Sequence, residues 1–259
     1  MSDHLSAGGY IVSLLQALKE LPKEDINSRN QIASYLYEPD SRLSEYIEKL
    51  KNYINLINPT KKERQDAGYL LEQIVVIVFC GLRGLSRIKS FRSVGAQYDL
   101  LISGDNEDWL CLCNLLFMKD NQRGILIEAK CTQEKVSHSQ FARLCSLMEI
   151  NLFSTTGLGI FFTLNGATGF PKKGQESRQK ALSEARSMQA LFHARTGKAI
   201  VVLDQDDIFT LDKPGSLLQI LISKIHDLED LSGLAIEPCE SPVEVDLPAH
   251  LKELLEPNQ

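Results

Sequence analysis

An α/β fold, with a sheet covered by helices on both faces, follows from three features of this sequence. The apolar spacing is helical before Gly84 and shifts toward every second residue after it. Strand-like apolar runs then alternate with helix-like ones through the second half. One long segment, Lys62 to Gly81, is apolar on most sides, as a central buried helix must be.

Residues 1–60 read as a helical region. Ile11, Leu14, Leu15 and Leu18 fall on one helical face, as do Leu43, Tyr46, Ile47, Leu50 and Ile54, with Pro22, Pro39 and Pro59 as punctuation. Asn58-Pro59-Thr60 is a turn, and the helix of Lys62 to Gly81 follows, carrying Leu70, Leu71, Ile74, Val75, Ile77 and Val78. Arg87 to Ser93 and Gln97 to Ser103 are strands joined near Gly95; Gly104-Asp105-Asn106 stops the second. Trp109 to Met118 is a further strand or an inserted element, and Ile125 to Cys131 is the next strand. Ser137 opens a helix whose Phe141, Leu144, Cys145, Met148 and Leu152 share a face. A strand from Leu158 to Leu164, a helix from Glu176 to Arg195, a strand from Lys198 to Leu203 and a helix from Leu217 to Leu231 complete the body at residues 61–231. Residues 232–259 are acidic and proline-bearing, the composition of a loosely held tail.

The chain has 259 residues, 43% of them hydrophobic, enough to bury a substantial core. Its longest apolar stretch, Ile74 to Cys80, falls far short of the roughly 20 residues that cross a bilayer. No basic segment precedes the apolar Tyr10 to Leu18 and no small-residue cleavage pattern follows it, so the expectation is a cytoplasmic protein without membrane attachment. Six cysteines lie mostly in apolar segments, as reduced thiols do. Cys111, Cys113 and Cys131 invite a zinc or iron–sulfur reading, but their spacing matches no common ligand pattern.

The net charge of -6 is unevenly placed. From Asp227 onward there are nine acidic residues and one lysine, which leaves 25 acids and 27 bases for the rest. The body is therefore slightly basic, with clusters at Arg83, Arg87, Lys89 and Arg92 and at Lys172, Lys173, Arg178 and Lys180. Such clusters are ordinarily solvated faces, yet phosphate-backbone contacts require this kind of local charge, and the net charge does not exclude a nucleic-acid partner. Arg87, Arg92, Lys172 and Lys173 are the candidate substrate contacts.

The sequence GILIEAKC, Gly124 to Cys131, places two charges at the end of an apolar strand. Glu128 and Lys130 share a face because strand side chains alternate, while Ala129 points away. Burying either charge alone is costly, so the pair calls for an ion, a polar cleft or open solvent. Asp99 is an uncommon residue within the strand QYDLLIS, and Glu72 interrupts an otherwise apolar helix. Each has a plainer reading: Glu72 as a surface position, Glu128 and Lys130 as a solvated ion pair. Gln140 completes Ser137-His138-Ser139-Gln140, an S-x-x-Q capping box that accounts for it without chemistry. Asn165 to Gly169 lacks the ending of a phosphate-binding loop and reads as a turn near the cleft; His193 reads as structural and His138 as an exposed helix start.

Glu72 in a helix, Asp99 in a strand, Glu128-Ala129-Lys130 at the next strand's end and Gln140 on the following helix resemble, in order and spacing, the PD-(D/E)XK nuclease superfamily and within it the Mrr-like restriction endonucleases. The resemblance covers Glu63 to Leu211 and departs from the pattern at Tyr98, where the motif's proline would stand. It implies a restriction-endonuclease-like αβββαβ core with a mixed central sheet. It also implies a Mg²⁺- or Mn²⁺-dependent endonuclease that hydrolyses DNA, in bacterial defence against foreign DNA. Asp99, Glu128 and the carbonyl of Ala129 would hold the metal, Lys130 would orient water or stabilise charge on the phosphate, Glu72 would hold a second metal or its water, and Gln140 would position Lys130. The chemistry agrees: Mg²⁺ takes one or two carboxylates and leaves the rest to water and phosphate, and an ammonium suits a point-charge task. An RNase with the same metal site, or a catalytically silent module of the same fold, fits the same residues. No helix-turn-helix is evident. A protein partner engaged through the N-terminal helices or the acidic tail, or a second copy of the chain, is compatible with these flanking segments.

Overall fold

The computed structural model describes residues 26–92, 97–131, 134–170 and 184–232. Among them, helices α1 (Ile26–Leu36), α2 (Leu43–Ile54) and α3 (Lys61–Cys80) precede the sheet. Strands β1 (Arg87–Arg92) and β2 (Gln97–Ser103) follow, then helix α4 (Glu107–Leu115), strand β3 (Gly124–Lys130), helix α5 (His138–Ser146), strand β4 (Thr156–Thr163), helix α6 (Glu184–Thr196), strand β5 (Ala199–Leu203), the short helix α7 (Gln205–Ile208) and helix α8 (Ser216–Ser232). The five strands lie in sequence order. β1, β2 and β3 are antiparallel neighbours, whereas β3, β4 and β5 run parallel. The sheet is mixed because α5 and α6 serve as crossovers, and only a crossover can return a strand in the same direction.

Strand alternation sorts the core into two layers. Ile125, Ile127, Leu158, Ile160, Phe162, Val201 and Leu203 face a layer built from α1, α2, α3, α4 and α8. Leu126, Phe161, Ile200 and Val202 face the opposite way, onto Phe141, Leu144 and Met148 of the α5 segment and Phe192 of α6. Helices therefore cover both faces, and Ala33, Leu36, Leu43, Ile47 and Leu50 of α1 and α2 belong to the same core as the sheet.

Capping sets where the elements begin. Thr60 opens α3 with a capping box: its hydroxyl accepts from the Glu63 N–H at 3.2 Å, and the Glu63 carboxylate accepts from the Thr60 N–H at 2.7 Å. Leu71, Ile74 and Val78 of α3 are wholly buried, and Leu71→Ala would cost about 2–5 kcal/mol as a large-to-small core change. Between α3 and β1 the chain turns at Gly84 with φ 78°, where a Cβ would lie 2.4 Å from Asn106 Oδ1, so glycine is required on both counts.

The segment Trp109 to Met118 is not a strand but an inserted element between β2 and β3, most of it in the helix α4. Asn106 caps this helix by accepting the Trp109 N–H at 3.0 Å, and the Trp109 indole donates to the Arg123 carbonyl at 2.9 Å. Trp109, Cys111, Leu112, Cys113 and Leu115 are all buried, so the run is apolar around the helix and shows no period by which to read it. Burial pushes the Cys111 thiol up to about 11 and the Cys113 thiol up to about 12, which opposes the thiolate form a metal would need.

Strand β5 begins at Ala199, and Lys198 just before it is buried. Its ammonium donates to the Met148 carbonyl at 2.7 Å and the Phe153 carbonyl at 2.8 Å, fastening the end of the widened turn Leu147–Asn151 that continues α5. Among the described residues, no helix is long and apolar enough to cross a membrane.

Candidate active site

Four elements meet where β3 ends. On β3, Glu128 lies two residues beyond Leu126 and so faces the α5 layer. It is 1% exposed. Two cations reach the same oxygen: the Arg143 guanidinium of α5 donates to Glu128 Oε2 at 2.5 Å and the Lys130 ammonium stands 3.3 Å from it. Glu128 Oε1 is buried with no hydrogen-bond partner. Both cations thus address one oxygen, and the other is buried without a partner.

Asp99 approaches from β2. The antiparallel ladder pairs Leu101 with Leu126 and Leu100 with Ile127, and one further step along that register sets Asp99 beside Glu128. There a side chain takes over from the backbone: Asp99 Oδ2 accepts the Ala129 N–H at 2.7 Å. Asp99 and Ala129 also line a groove of about 440 Å³ under α3, with Glu72, Val75, Val76 and Ile88. α3 is not buried all round: Glu72 lies on its exposed face with Tyr69, Gln73 and Val76, and lines this groove. The carboxylates of β2 and β3 therefore gather at one end of the two strands, close enough for the Asp99 charge to act on Glu128, and Asp99 also lines the groove under α3, which Glu128 does not.

Burial is the main force on Glu128 and raises its pKa; the nearby Asp99 charge adds to the rise, while Lys130 and Arg143 pull it back. The site's polarity is therefore balanced between an acid that resists ionisation and two bases that stabilise its charge.

Gln140 is brought to the start of α5 rather than shown against Lys130. Its Oε1 accepts the Ser137 N–H at 2.8 Å and the Ser137 hydroxyl at 3.3 Å, closing the capping box. That box fixes the first turn of α5, and Arg143 follows one turn later. An isolated parallel bridge between Val136 and Ala167 holds the segment before α5 against the loop after β4. Arg87 is exposed on β1; the side chain of Arg92, and Lys172 and Lys173 altogether, lie outside the described residues. The turn beginning at Asn165 lines a separate cavity of about 350 Å³ at the carboxyl ends of β4 and β5, together with Arg186 and Lys224. His193 is buried, its Nδ1 lying 3.1 Å from the Lys198 carbonyl.

Arg143 is the residue that sequence reasoning passes over. Its only signal is position: it stands three residues after Gln140, so both fall on neighbouring parts of one helical face. Among the described residues, no three histidine, cysteine, aspartate or glutamate side chains form a cluster able to hold a metal ion by themselves. What the groove under α3 offers is two carboxylates, Asp99 and Glu72, with Ala129 of β3; Glu128 lies outside its lining, with Oε1 buried and unpaired. Two carboxylates are oxygen donors of the kind a hard cation takes, and they lack the nitrogen and sulfur donors of a zinc site.

No protein-family model, curated protein or solved structure matches this chain.

Proposed function

We propose that this protein is a divalent-metal-dependent endonuclease with a restriction-endonuclease-like core, cleaving DNA phosphodiesters in defence against foreign DNA. One observation carries the reading. At the end of β3, a buried carboxylate with one unpaired oxygen stands beside an aspartate from the adjoining strand and an ammonium two residues on. Simple strand-end ion pairs do not need burial, and burial without full pairing is costly.

Asp99 and Glu128 would hold the cation, with Ala129 contributing its carbonyl and Glu72 a water or second ion from across the groove. Mg²⁺ or Mn²⁺ bound there supplies Lewis-acid polarisation of the phosphate and a more acidic water. The protein's own residues do the rest. Asp99, tied to the Ala129 N–H, keeps β2 and β3 in the register that brings the carboxylates together. Lys130, half-buried beside Glu128, places a fixed positive charge where negative charge grows on the phosphoryl oxygens. Val75, Val76 and Ile88 give the groove an apolar side that remains open to solvent at Val76 and Ile88.

A second reading is a silent module of the same fold. It draws on the two cations already seated on Glu128 Oε2 and on the missing three-acid cluster among the described residues. One experiment separates the readings. Purified protein is incubated with supercoiled plasmid DNA and with RNA, in Mg²⁺, Mn²⁺ or chelator, beside Lys130→Ala. Cutting of DNA that needs the cation and disappears in the variant supports the proposal; cutting of RNA alone makes it an RNase. Silence of the wild type in every condition supports the module, and equal cutting by both proteins assigns the activity elsewhere.

A further inference from the structure

We infer that strand β1 is a docking edge for an acidic extended segment of this same chain, Val243–Leu247, which adds to the sheet as a further strand. The inference is independent of the nuclease reading.

β1 is the outermost strand and, among the described residues, pairs with β2 alone, so one row of its backbone N–H and C=O groups faces outward. Its two sides differ in chemistry. Arg87 and Lys89 stand on one side, both exposed, and among the described residues neither is held in an ion pair. Ile88 and Ser90 stand on the other and line the groove under α3 with Val75 and Val76. Ile88 is 41% exposed and Val76 42%. A strand that fits this edge carries acids at alternate positions and apolar side chains between them.

The sequence Pro242-Val243-Glu244-Val245-Asp246-Leu247-Pro248 has that pattern. At a period of two, Glu244 and Asp246 share one face, and Val243, Val245 and Leu247 share the other. Set beside β1, the acids meet Arg87 and Lys89 while the apolar side chains cover Ile88 and Val76. The flanking prolines suit the place, since proline is tolerated at the ends of an edge strand and blocks pairing beyond it. A second copy of β1 suits the same edge poorly, because it would bring Arg87 and Lys89 of the two copies together, and like charges across a strand pair are destabilising.

The segment is within reach. Residues 233–242 link it to the end of α8, and ten residues span up to roughly 33–36 Å. Glu229, in the last turn of α8, lines a cavity with Gly157 at the start of β4. β1 starts at that same end of the sheet, because Arg87 pairs with Ser103, and Ile102 with Ile125 near the start of β3. From β4 to β1 is three strand spacings, roughly 15 Å.

The test is amide hydrogen–deuterium exchange on the full chain, read over residues 87–92 and 243–247. The proteins are wild type, Val245→Pro, the pair Glu244→Lys with Asp246→Lys, the pair Arg87→Glu with Lys89→Glu, and all four charge reversals together. Val245→Pro and the tail reversals leave the body of the protein untouched. Both stretches are expected to be protected in wild type, to exchange about tenfold faster in Val245→Pro and in either pair of reversals, and to recover when the two pairs are combined. Exchange of 243–247 in wild type at the rate of an unstructured peptide overturns the inference, as does protection that Val245→Pro and the reversals leave unchanged. Protection that fades on dilution, with dimers in sedimentation, gives the edge to a second copy and overturns the pairing within one chain.

Discussion

Asp99 holds two jobs that a pair of substitutions can separate. Its Oδ2 accepts the Ala129 N–H at 2.7 Å where the β2–β3 ladder ends, and the same carboxylate is the β2 contribution to the proposed cation site. Asp99→Ala removes the acceptor and leaves a half-buried amide unpaired. A hydrogen bond to a charged group is worth about 1.5–3 kcal/mol, and partial access of water to this position brings the expected loss to about 1–2 kcal/mol. Asp99→Asn keeps an oxygen in the same place and should cost less than about 1 kcal/mol, the difference between charged and neutral acceptors. Both changes remove the negative charge, so both should abolish Mg²⁺-dependent cleavage. Urea denaturation gives the stabilities and plasmid nicking gives the activity. Two results refute the reasoning: an Asp99→Ala protein as stable as wild type, which denies the strand-fastening bond, or an Asp99→Asn protein that cleaves normally, which denies the charge.

Three further outcomes follow from named contacts. Because burial raises the Glu128 pKa, the native state holds its proton to higher pH than the unfolded chain, so this residue's contribution favours folding in acid and is lost as pH rises through the native pKa. Glu128→Gln should therefore gain stability relative to wild type as the pH rises above about 4, where the unfolded glutamate ionises, read from urea midpoints, and a relative loss on that rise would contradict the burial argument. Lys198→Met should destabilise by about 1–3 kcal/mol, because it strands the Met148 and Phe153 carbonyls inside the structure; an unchanged urea midpoint would show that water replaces the ammonium. Gln140→Ala should cost about 1 kcal/mol through the lost capping box while cleavage stays nearly normal. A cleavage loss beyond about tenfold, about 1.4 kcal/mol of barrier, would show instead that the glutamine acts on Lys130 or the water.

What the sequence discloses and what it hides follow from the same physics. The strand Ile125 to Cys131 is legible as a short apolar run and the crossover helices α5 and α6 as apolar faces at helical spacing, whereas the sorting of Ile125 and Ile127 from Leu126 into two cores is visible only in the fold. Ser137 and Gln140 likewise announce the start of α5 by local hydrogen bonding alone. Helix α4 is hidden because Trp109 to Cys113 is an unbroken apolar run, half-buried even where Leu110 turns outward, and such a run shows no period. Lys198 reads as the first residue of a strand, yet its charge is spent on carbonyls 45 and 50 positions earlier in the chain, a contact that only the fold creates. Arg143 is hidden for the same reason: the arginine is ordinary in sequence, and its meaning comes from a strand that ends beneath it. Glu128 and Lys130 are legible as a pair, since their spacing alone puts them side by side; that Asp99 stands with them depends on the β2–β3 register.

The most direct measurement of the central claim is Mn²⁺ binding followed by electron paramagnetic resonance, on wild type and on the Asp99→Asn and Glu128→Gln variants, in the presence of a DNA duplex. The account predicts a bound ion in the wild type that Mg²⁺ displaces and that each variant loses or binds far more weakly. An ion signal that is absent from the wild type, or that survives both substitutions unchanged, would contradict it.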